Sequence, residues 1–288
     1  MRDTQELIDR LNLRGEPLSK GHRRIAEYIA SHYEKAVFMT AVALGKQCGV
    51  SESTVVRFAS ALGYDGYPKL QDAMRSLVRQ RLTAEQRFAI ASEIDSGDVL
   101  NTVLKNDAQN IRKTMEALSQ KDFEGVVRLL LGARHIYVMG LRSAAPLAQF
   151  MYHYLHQIFD EVTLVNNTTG DVFEEIVRIG NGDVLVGISY PRYSTRTLEC
   201  MRFARQNGAQ VVGFTDGAMS PLCPASDLCL CASTDMASFV DSLAAPLSVI
   251  NALIVSLGLH RREELSEHFK CLEGIWNAHS VYIDKENE

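Results

Sequence analysis

The sequence predicts an all-α N-terminal domain built on a helix-turn-helix, followed by a doubly wound α/β domain with a parallel sheet. Three observations predict it. Two short amphipathic helices meet at a glycine turn between Ala41 and Leu62. From Arg134 onward, short apolar runs alternate with helical stretches, as in a parallel sheet covered on both faces. Charge divides along the same line: residues 1–90 hold 14 Lys+Arg and 10 Asp+Glu, and the remainder holds 16 and 25. A basic first third beside an acidic remainder suits a DNA-binding module attached to one that does not touch DNA.

The 288 residues, 46% of them hydrophobic, suffice for two cores. A net charge of −5 excludes a polybasic binder. The boundaries read as a DNA-binding domain over 1–81, a connection over 82–97 and an α/β domain over 98–288. The six cysteines, at 48, 200, 223, 229, 231 and 271, contain no C-x-x-C pair and no ligand-spaced Cys/His cluster. No metal site and no cofactor is expected from them, and Cys229-x-Cys231 alternates as packed strand residues do. The N-terminus, MRDTQELIDRL, is amphipathic and charged, unlike a signal peptide. The longest apolar run, Leu243 to Leu259, contains Pro246, Ser248, Asn251 and Ser256, as a buried helix rather than a membrane span would. These features point to a cytoplasmic protein with reduced thiols and no membrane partner.

The elements follow in order. Residues 4–13 read as a first helix ended by Gly15 and Pro17. Ser19 caps a second, with Ile25, Ala26, Ile29 and Ala30 inside. Val37 and Phe38 lead into the helix-turn-helix. Pro68 sits in the first turn of a long helix carrying Lys69, Arg75, Arg79 and Arg81. Asp98 to Leu118 and Phe123 to Leu131 are amphipathic helices. Strands are expected at HIYVMG, Glu161 to Val165, Asp183 to Ser189, Gln210 to Thr215 and Leu228 to Cys231. Helices are expected within Leu141 to Ile158 and over Asp171 to Ile179, Thr195 to Asn207 and Ser242 to Leu259, the last closing the domain.

In the helix-turn-helix, Leu44, Cys48, Val50, Val55 and Phe58 supply the apolar contacts. Gly45 is small where the helices approach, and Gly49 takes a left-handed turn. Ser51 caps the second helix, with Glu52 in its first turn. Val55, Phe58, Ala59 and Leu62 face inward at i, i+3, i+4 and i+7. Ser53, Thr54, Val56, Arg57 and Ser60 are left outside. An ordinary helical hairpin shares the two helices and the turn. Here the small residue, the glycine, the apolar positions and the cap fall at compatible spacings together. Arg57 is the candidate for a guanine edge, with Ser53 and Thr54 reading neighbouring bases or phosphates and Ser51 at the cap. Lys46 and Lys69 are candidate phosphate contacts. Proteins of this kind commonly read two half-sites about a two-fold axis, so an inverted-repeat operator and a dimer or dimer of dimers are expected.

Ligands of parallel sheets bind at the loops after the strands. Those loops here are Gly140–Ser143, Ser189–Ser194 and Thr215–Ser220. With these elements in place, the chain resembles the RpiR family of bacterial transcription regulators, most specifically in SESTVVRFASALGYDGY and next in DVLVGIS with NGAQVVGFTD. The second half resembles the sugar isomerase (SIS) domain. The resemblance implies a phosphosugar effector held by serine and threonine hydroxyls and by N–H groups at helix starts, which offer unpaired donors and a positive dipole end. The family's first loop runs Gly-x-Gly-x-Ser, and its second Ser-x-Ser-Gly-x-Thr. Here they are Gly140-Leu141-Arg142-Ser143-Ala144 and Ser189-Tyr190-Pro191-Arg192-Tyr193-Ser194. Pro191 lacks an N–H, which damages the phosphate cradle. Arg142 and Arg192 either compensate by pairing with an anion or form salt bridges with the acidic domain. The effector candidates are Ser143, Ser189, Ser194, Arg142, Arg192 and Ser242, for a sugar phosphate or a related anionic or polyhydroxylated metabolite.

An isomerase needs a general base beside the sugar carbonyl. Asp235, Asp241, His153 and His156 stand in no spacing that specifies one. His153 and His156 read as surface residues, and Asp241 before Ser242 as capping chemistry. No catalytic residue is assigned. The expected function is a metabolite-responsive DNA-binding regulator of a carbohydrate operon. The alternative is a phosphosugar isomerase with a helical assembly domain.

Overall fold

The structure is a computed structural model that describes residues 19–32, 36–37, 39–81, 83–91, 97–168, 170–236 and 239–282. The helix expected over 4–13 and the residue Phe38 lie outside these. The chain divides into two units, Met1–Gln86 and Arg87–Glu288. The boundary falls inside the stretch read as the connection.

The first unit contains α1 (Lys20–Ser31), α2 (Ala41–Cys48), α3 (Glu52–Ala61) and α4 (Gly66–Arg81). Ser19 caps α1 by accepting from His22 N–H. Ile25, Ala26 and Ile29 are buried as expected, whereas Ala30, expected inside with them, is exposed. Leu44, Val55, Phe58, Ala59, Leu70 and Met74 complete the core. Val50, expected inside, is half-buried at the turn. Tyr67 Oη and Gln71 Nε2 both donate to Met39 O, at 2.8 and 2.7 Å, pinning the start of α4 to the segment that enters α2. Side chains over 75–81, with Arg75, Arg79 and Arg81 among them, lie outside the description.

The second unit begins within α5 (Ala84–Ala91) and continues through α6 (Val99–Ala117) and α7 (Gln120–Leu131) into the sheet. Its strands are β1 (His135–Gly140), β2 (Val162–Val165), β3 (Asp183–Ile188), β4 (Gln210–Thr215) and β5 (Leu228–Cys231). They lie in the order β2-β1-β3-β4-β5, and every pair is parallel. Every residue of β3 is buried, which is why its sequence is continuously apolar from Val184 to Ile188 rather than alternating. One face packs against α7, α8 (Ala145–Ile158) and α11 (Ala244–His260). The other packs against α9 (Val172–Glu175) and α10 (Thr195–Gln206). Arg134 Nε and Nη2 each donate to the Asp183 carboxylate at 2.8 Å, clamping the entrance of β1 to that of β3.

Two expectations are corrected. The helix expected over Asp171 to Ile179 is a single turn, Val172–Glu175. Asp171 caps it, but the Glu175 carboxylate accepts from Asn166 and Asn167 N–H, and the chain unwinds so that Ile176 and Ile179 are both buried. Nor does the chain close at Leu259. After α11 it bends by 100° into α12 (Arg262–Ala278), which buries none of its residues. Among the described residues, no single helix is long and apolar enough to cross a membrane.

Candidate DNA-reading helix and effector cleft

Local chemistry positions α3. Val50 N–H donates to Gly45 O at 2.9 Å, and Gly49 adopts φ 64° to turn the chain. A Cβ on Gly45 would stand 2.9 Å from Val50 O, so the crossing needs a residue without one. Ser51 Oγ accepts from Thr54 N–H at 3.3 Å and lies 2.9 Å from both Ser53 Oγ and Thr54 Oγ1, a hydroxyl cluster at the positive end of the helix.

Ser51, Ser53, Arg57, Lys46 and Lys69 are exposed, and Thr54 is half-buried, its methyl over Gly21. Arg57 Nε donates to Ser53 O at 3.3 Å, so its stem lies back along α3 toward the helix start. No described residue forms an ion pair with Lys46, Arg57 or Lys69, nor with Lys20, Arg23 or Arg24 on α1. Burial and the Arg57 charge both lower the pKa of His22, which packs edge-on against Phe58. Val56 and Val42 also stand exposed; apolar groups of that size meet thymine methyls in major grooves.

In the second unit, the order β2-β1-β3 reverses the direction of winding between β1 and β3, and ligands of such sheets bind outside the strand ends at that point. A cavity of about 910 Å³ opens there. Arg142, Ser143, Ser189, Arg192 and Ser194 all line it. Gly140 admits the loop: a Cβ would stand 2.7 Å from Ala144 O and 2.9 Å from Ala148 Cβ. Ser189 Oγ, buried, accepts from Ser194 N–H at 3.0 Å, and Ser194 Oγ caps α10 by accepting from Thr197 N–H at 3.3 Å. Thr195 and Arg196, in the helix's first turn where N–H groups lack intrahelical partners, also line the cavity.

Arg142 and Arg192 have φ of 57° and 69°, left-handed positions that side chains rarely occupy. They stand where the family pattern carries glycine. Both are exposed, and neither forms an ion pair with a described residue, so the salt-bridge alternative receives no support. Ser242 is placed elsewhere: its Oγ donates to Asp107 Oδ1 at 2.6 Å and it does not line the cavity. Asp241, expected to cap a helix, lines the cavity and is paired instead. Arg87 Nη1 donates to both of its carboxylate oxygens at 3.1 Å. His153 and His156 are exposed on α8.

Arg87, Tyr190, Tyr193 and Asp241 are lining residues that the sequence did not single out for binding. Tyr193 Oη donates to Asp216 Oδ1 at 2.8 Å. Tyr190 is buried, and burial followed by the neighbouring Asp216, Cys231 and Cys229 pushes its phenol well above the ordinary value. Only the position of Tyr190 and Tyr193 inside the second loop offered a signal for them.

A helix-turn-helix with unneutralised basic side chains and a parallel sheet with a polar cleft at its switch point together define a ligand-responsive DNA-binding regulator. Residues 5–80 match the helix-turn-helix domain of the rpiR family, and residues 129–256 match the SIS domain. The chain is 29% identical to the HTH-type transcriptional regulator HexR of Pseudomonas aeruginosa, over 98% of this chain and 100% of that one. The sugar isomerase domain of an RpiR transcription factor from Sphaerobacter thermophilus superposes with a TM-score of 0.59 at 22% identity, over 61% of this chain and 98% of that one. The Vibrio vulnificus NanR protein complexed with ManNAc-6P superposes with a TM-score of 0.58 at 19% identity, over 96% and 100%. The chain belongs to the RpiR family of helix-turn-helix transcriptional regulators.

Proposed function

We propose that the cleft between β1 and β3 binds an anionic sugar derivative, a sugar phosphate or sugar acid, and that its occupancy sets how the chain engages its operator. One observation carries this reading: two arginines without an ion-pair partner among the described residues stand at left-handed positions on the rim of a serine-lined cavity. Backbone strain of this kind persists at sites where it serves binding. NanR, complexed with ManNAc-6P, supports the ligand class. Ser143, Ser189 and Ser194 supply hydroxyls, the start of α10 supplies N–H groups, and Arg142 and Arg192 replace the cradle that Pro191 damages. The cleft serves binding rather than turnover. Among the described lining residues Asp241 is the one carboxylate, and Arg87 holds it.

Arg57 reads a guanine edge, Ser53 and Thr54 contact neighbouring bases, and Ser51, Lys46 and Lys69 hold phosphates. The protein works in the cytoplasm as a dimer or dimer of dimers on an inverted repeat. From Arg87 onward, the stretch read as a connection belongs with the effector domain, because Arg87 pairs with Asp241. Effector binding alters DNA affinity only as far as it favours one arrangement of the chain over another.

Two measurements test this. Arg57→Ala should weaken binding to the promoter beside its own gene by about 1–3 kcal/mol and relax selectivity at one base position, with the fold unchanged by circular dichroism. Equal affinity of variant and parent rejects the base-reading assignment. A thermal-shift screen of sugar phosphates, sugar acids and neutral sugars should raise the melting temperature only with the anions. A response confined to neutral sugars rejects the role given to Arg142 and Arg192.

A further inference from the structure

Three cysteines that no local spacing unites come together at the β5 edge. Cys229 and Cys231 stand two residues apart on β5 and so share a face. Cys223 opens the short 3-10 turn Cys223–Ala225 that precedes the strand. Cys223 Sγ lies 2.7 Å from Cys229 Sγ, and the three sulfurs all lie within 4.8 Å of one another, each half-buried. Cys229 pairs with Gly213 across the β4–β5 ladder, where a Cβ would stand 3.2 Å from its sulfur. The bare position on β4 gives the thiol its room.

A second observation lies beside the cluster. The Tyr190 hydroxyl is fully buried and makes no hydrogen bond with any described residue. Cys229 and Cys231 are among the groups acting on its ionisation. Its O–H is a donor with no partner among the described residues, and thiolates are strong acceptors.

We infer that Cys223, Cys229 and Cys231 form a trithiolate site for one thiophilic d10 cation, Zn(II) or Cu(I), with the Tyr190 hydroxyl donating to a bound thiolate. Soft sulfur ligands select these ions. At a metal–sulfur distance of about 2.3 Å, three sulfurs around one ion stand about 3.8–4.0 Å apart, within the span observed here. The Cys223–Cys229 contact opens by about 1 Å on binding, which rotation of two short side chains allows. All three thiols give up their protons to solvent as the ion enters. Three thiolates leave the site with net charge −1 around Zn(II) or −2 around Cu(I), and the Tyr190 O–H offsets that charge.

The test uses the full chain, reduced and anaerobic, titrated separately with Zn(II) and Cu(I) and then alkylated and mapped by peptide mass. The expected result is one ion per chain, with Cys223, Cys229 and Cys231 protected together while the exposed Cys271 stays reactive. Cys271→Ser binds as the parent does. Cys223→Ser loses more than about a hundredfold in affinity, beyond what loss of an outer-shell partner costs. The mapping needs no variant, so a misfolded Cys223→Ser leaves the proposal exposed to refutation. Cys48 and Cys200 are buried with or without the ion, so the reading is the difference made by metal, and metal-dependent protection of any other set of thiols overturns it. So does a reduced chain that binds neither ion, including one whose Cys223 and Cys229 merely join as a disulfide on exposure to air.

Discussion

Replacing Arg192 by glycine moves stability and ligand affinity in opposite directions. Arg192 has φ 69°, and its side chain forms no ion pair with a described residue, so its removal breaks no such pairing in the free protein. A left-handed backbone costs an L-residue with a Cβ about 1–2 kcal/mol. Glycine returns about 0.5–1 kcal/mol of that through its freer unfolded chain. The net expectation is a stabilisation of about 0.5–1 kcal/mol for Arg192→Gly, and about twice that with Arg142→Gly. The ligand loses a charge-assisted hydrogen bond of about 1.5–3 kcal/mol, which weakens binding about 10- to 150-fold. The chain has one tryptophan, Trp276 on α12, so its fluorescence during urea unfolding reports the α/β unit alone. Calorimetric titration with the strongest sugar phosphate from the screen measures the affinity. An Arg192→Gly protein that is less stable than its parent, or binds within about twofold of it, refutes the idea that strain is retained there for the sake of the anion.

Three further outcomes are expected. Gly45→Ala drives a Cβ to 2.9 Å from Val50 O, a backbone atom with little freedom, and should destabilise the helical unit by about 1–3 kcal/mol and weaken operator binding, as thermal melts and gel shifts will record. Arg87→Ala strands the nearly buried Asp241 carboxylate and should cost about 3–5 kcal/mol in scanning calorimetry, with the Arg87→Met/Asp241→Leu pair regaining most of it. Asp183 resists the burial that would raise its pKa, because hydrogen bonds from Arg134 and Gly180 N–H outweigh it and hold the folded value below the ordinary one. Its contribution is therefore complete above the unfolded value, about 3.9, and is lost as pH falls through the lower folded value. Asp183→Asn should remove that part of the acid sensitivity, which urea titrations between about pH 5 and pH 2 will measure.

What the sequence disclosed and what it withheld differ by distance along the chain. The helix-turn-helix was legible because Gly45, Gly49, Ser51 and the stripe from Val55 to Leu62 act on neighbours within one or two turns. The strands were legible because burial on both faces demands uniform apolarity, as in β3. Their order was not, since parallel pairing is set by contacts far apart in sequence. The helix over 171–179 failed because the pattern cannot show that Glu175 serves Asn166 and Asn167. The helix α12 was passed over because the apolar run ends with α11, and nothing on α12 is buried. Five of the six effector candidates lie on the strand-end loops that parallel topology singles out. The sixth, Ser242, has its hydroxyl on Asp107, 135 residues away. Arg87 and Asp241 are 154 residues apart, and no spacing rule links them. The thiol cluster was hidden because Cys223 joins Cys229 and Cys231 through a tight turn rather than a ligand-spaced motif.

On the proposed reading, guanidinium groups at Arg142 and Arg192, with Pro191 withdrawing an N–H from the second loop, change how the pocket measures its guest. Main-chain amides are fixed in space and gauge a phosphoryl group to a fraction of an ångström. Long flexible arms follow their target, so they weigh valence more than outline. A chain built this way should accept a family of acids of differing length at graded strengths, and a cell carrying it would sense the fullness of an acidic sugar pool rather than the level of one member.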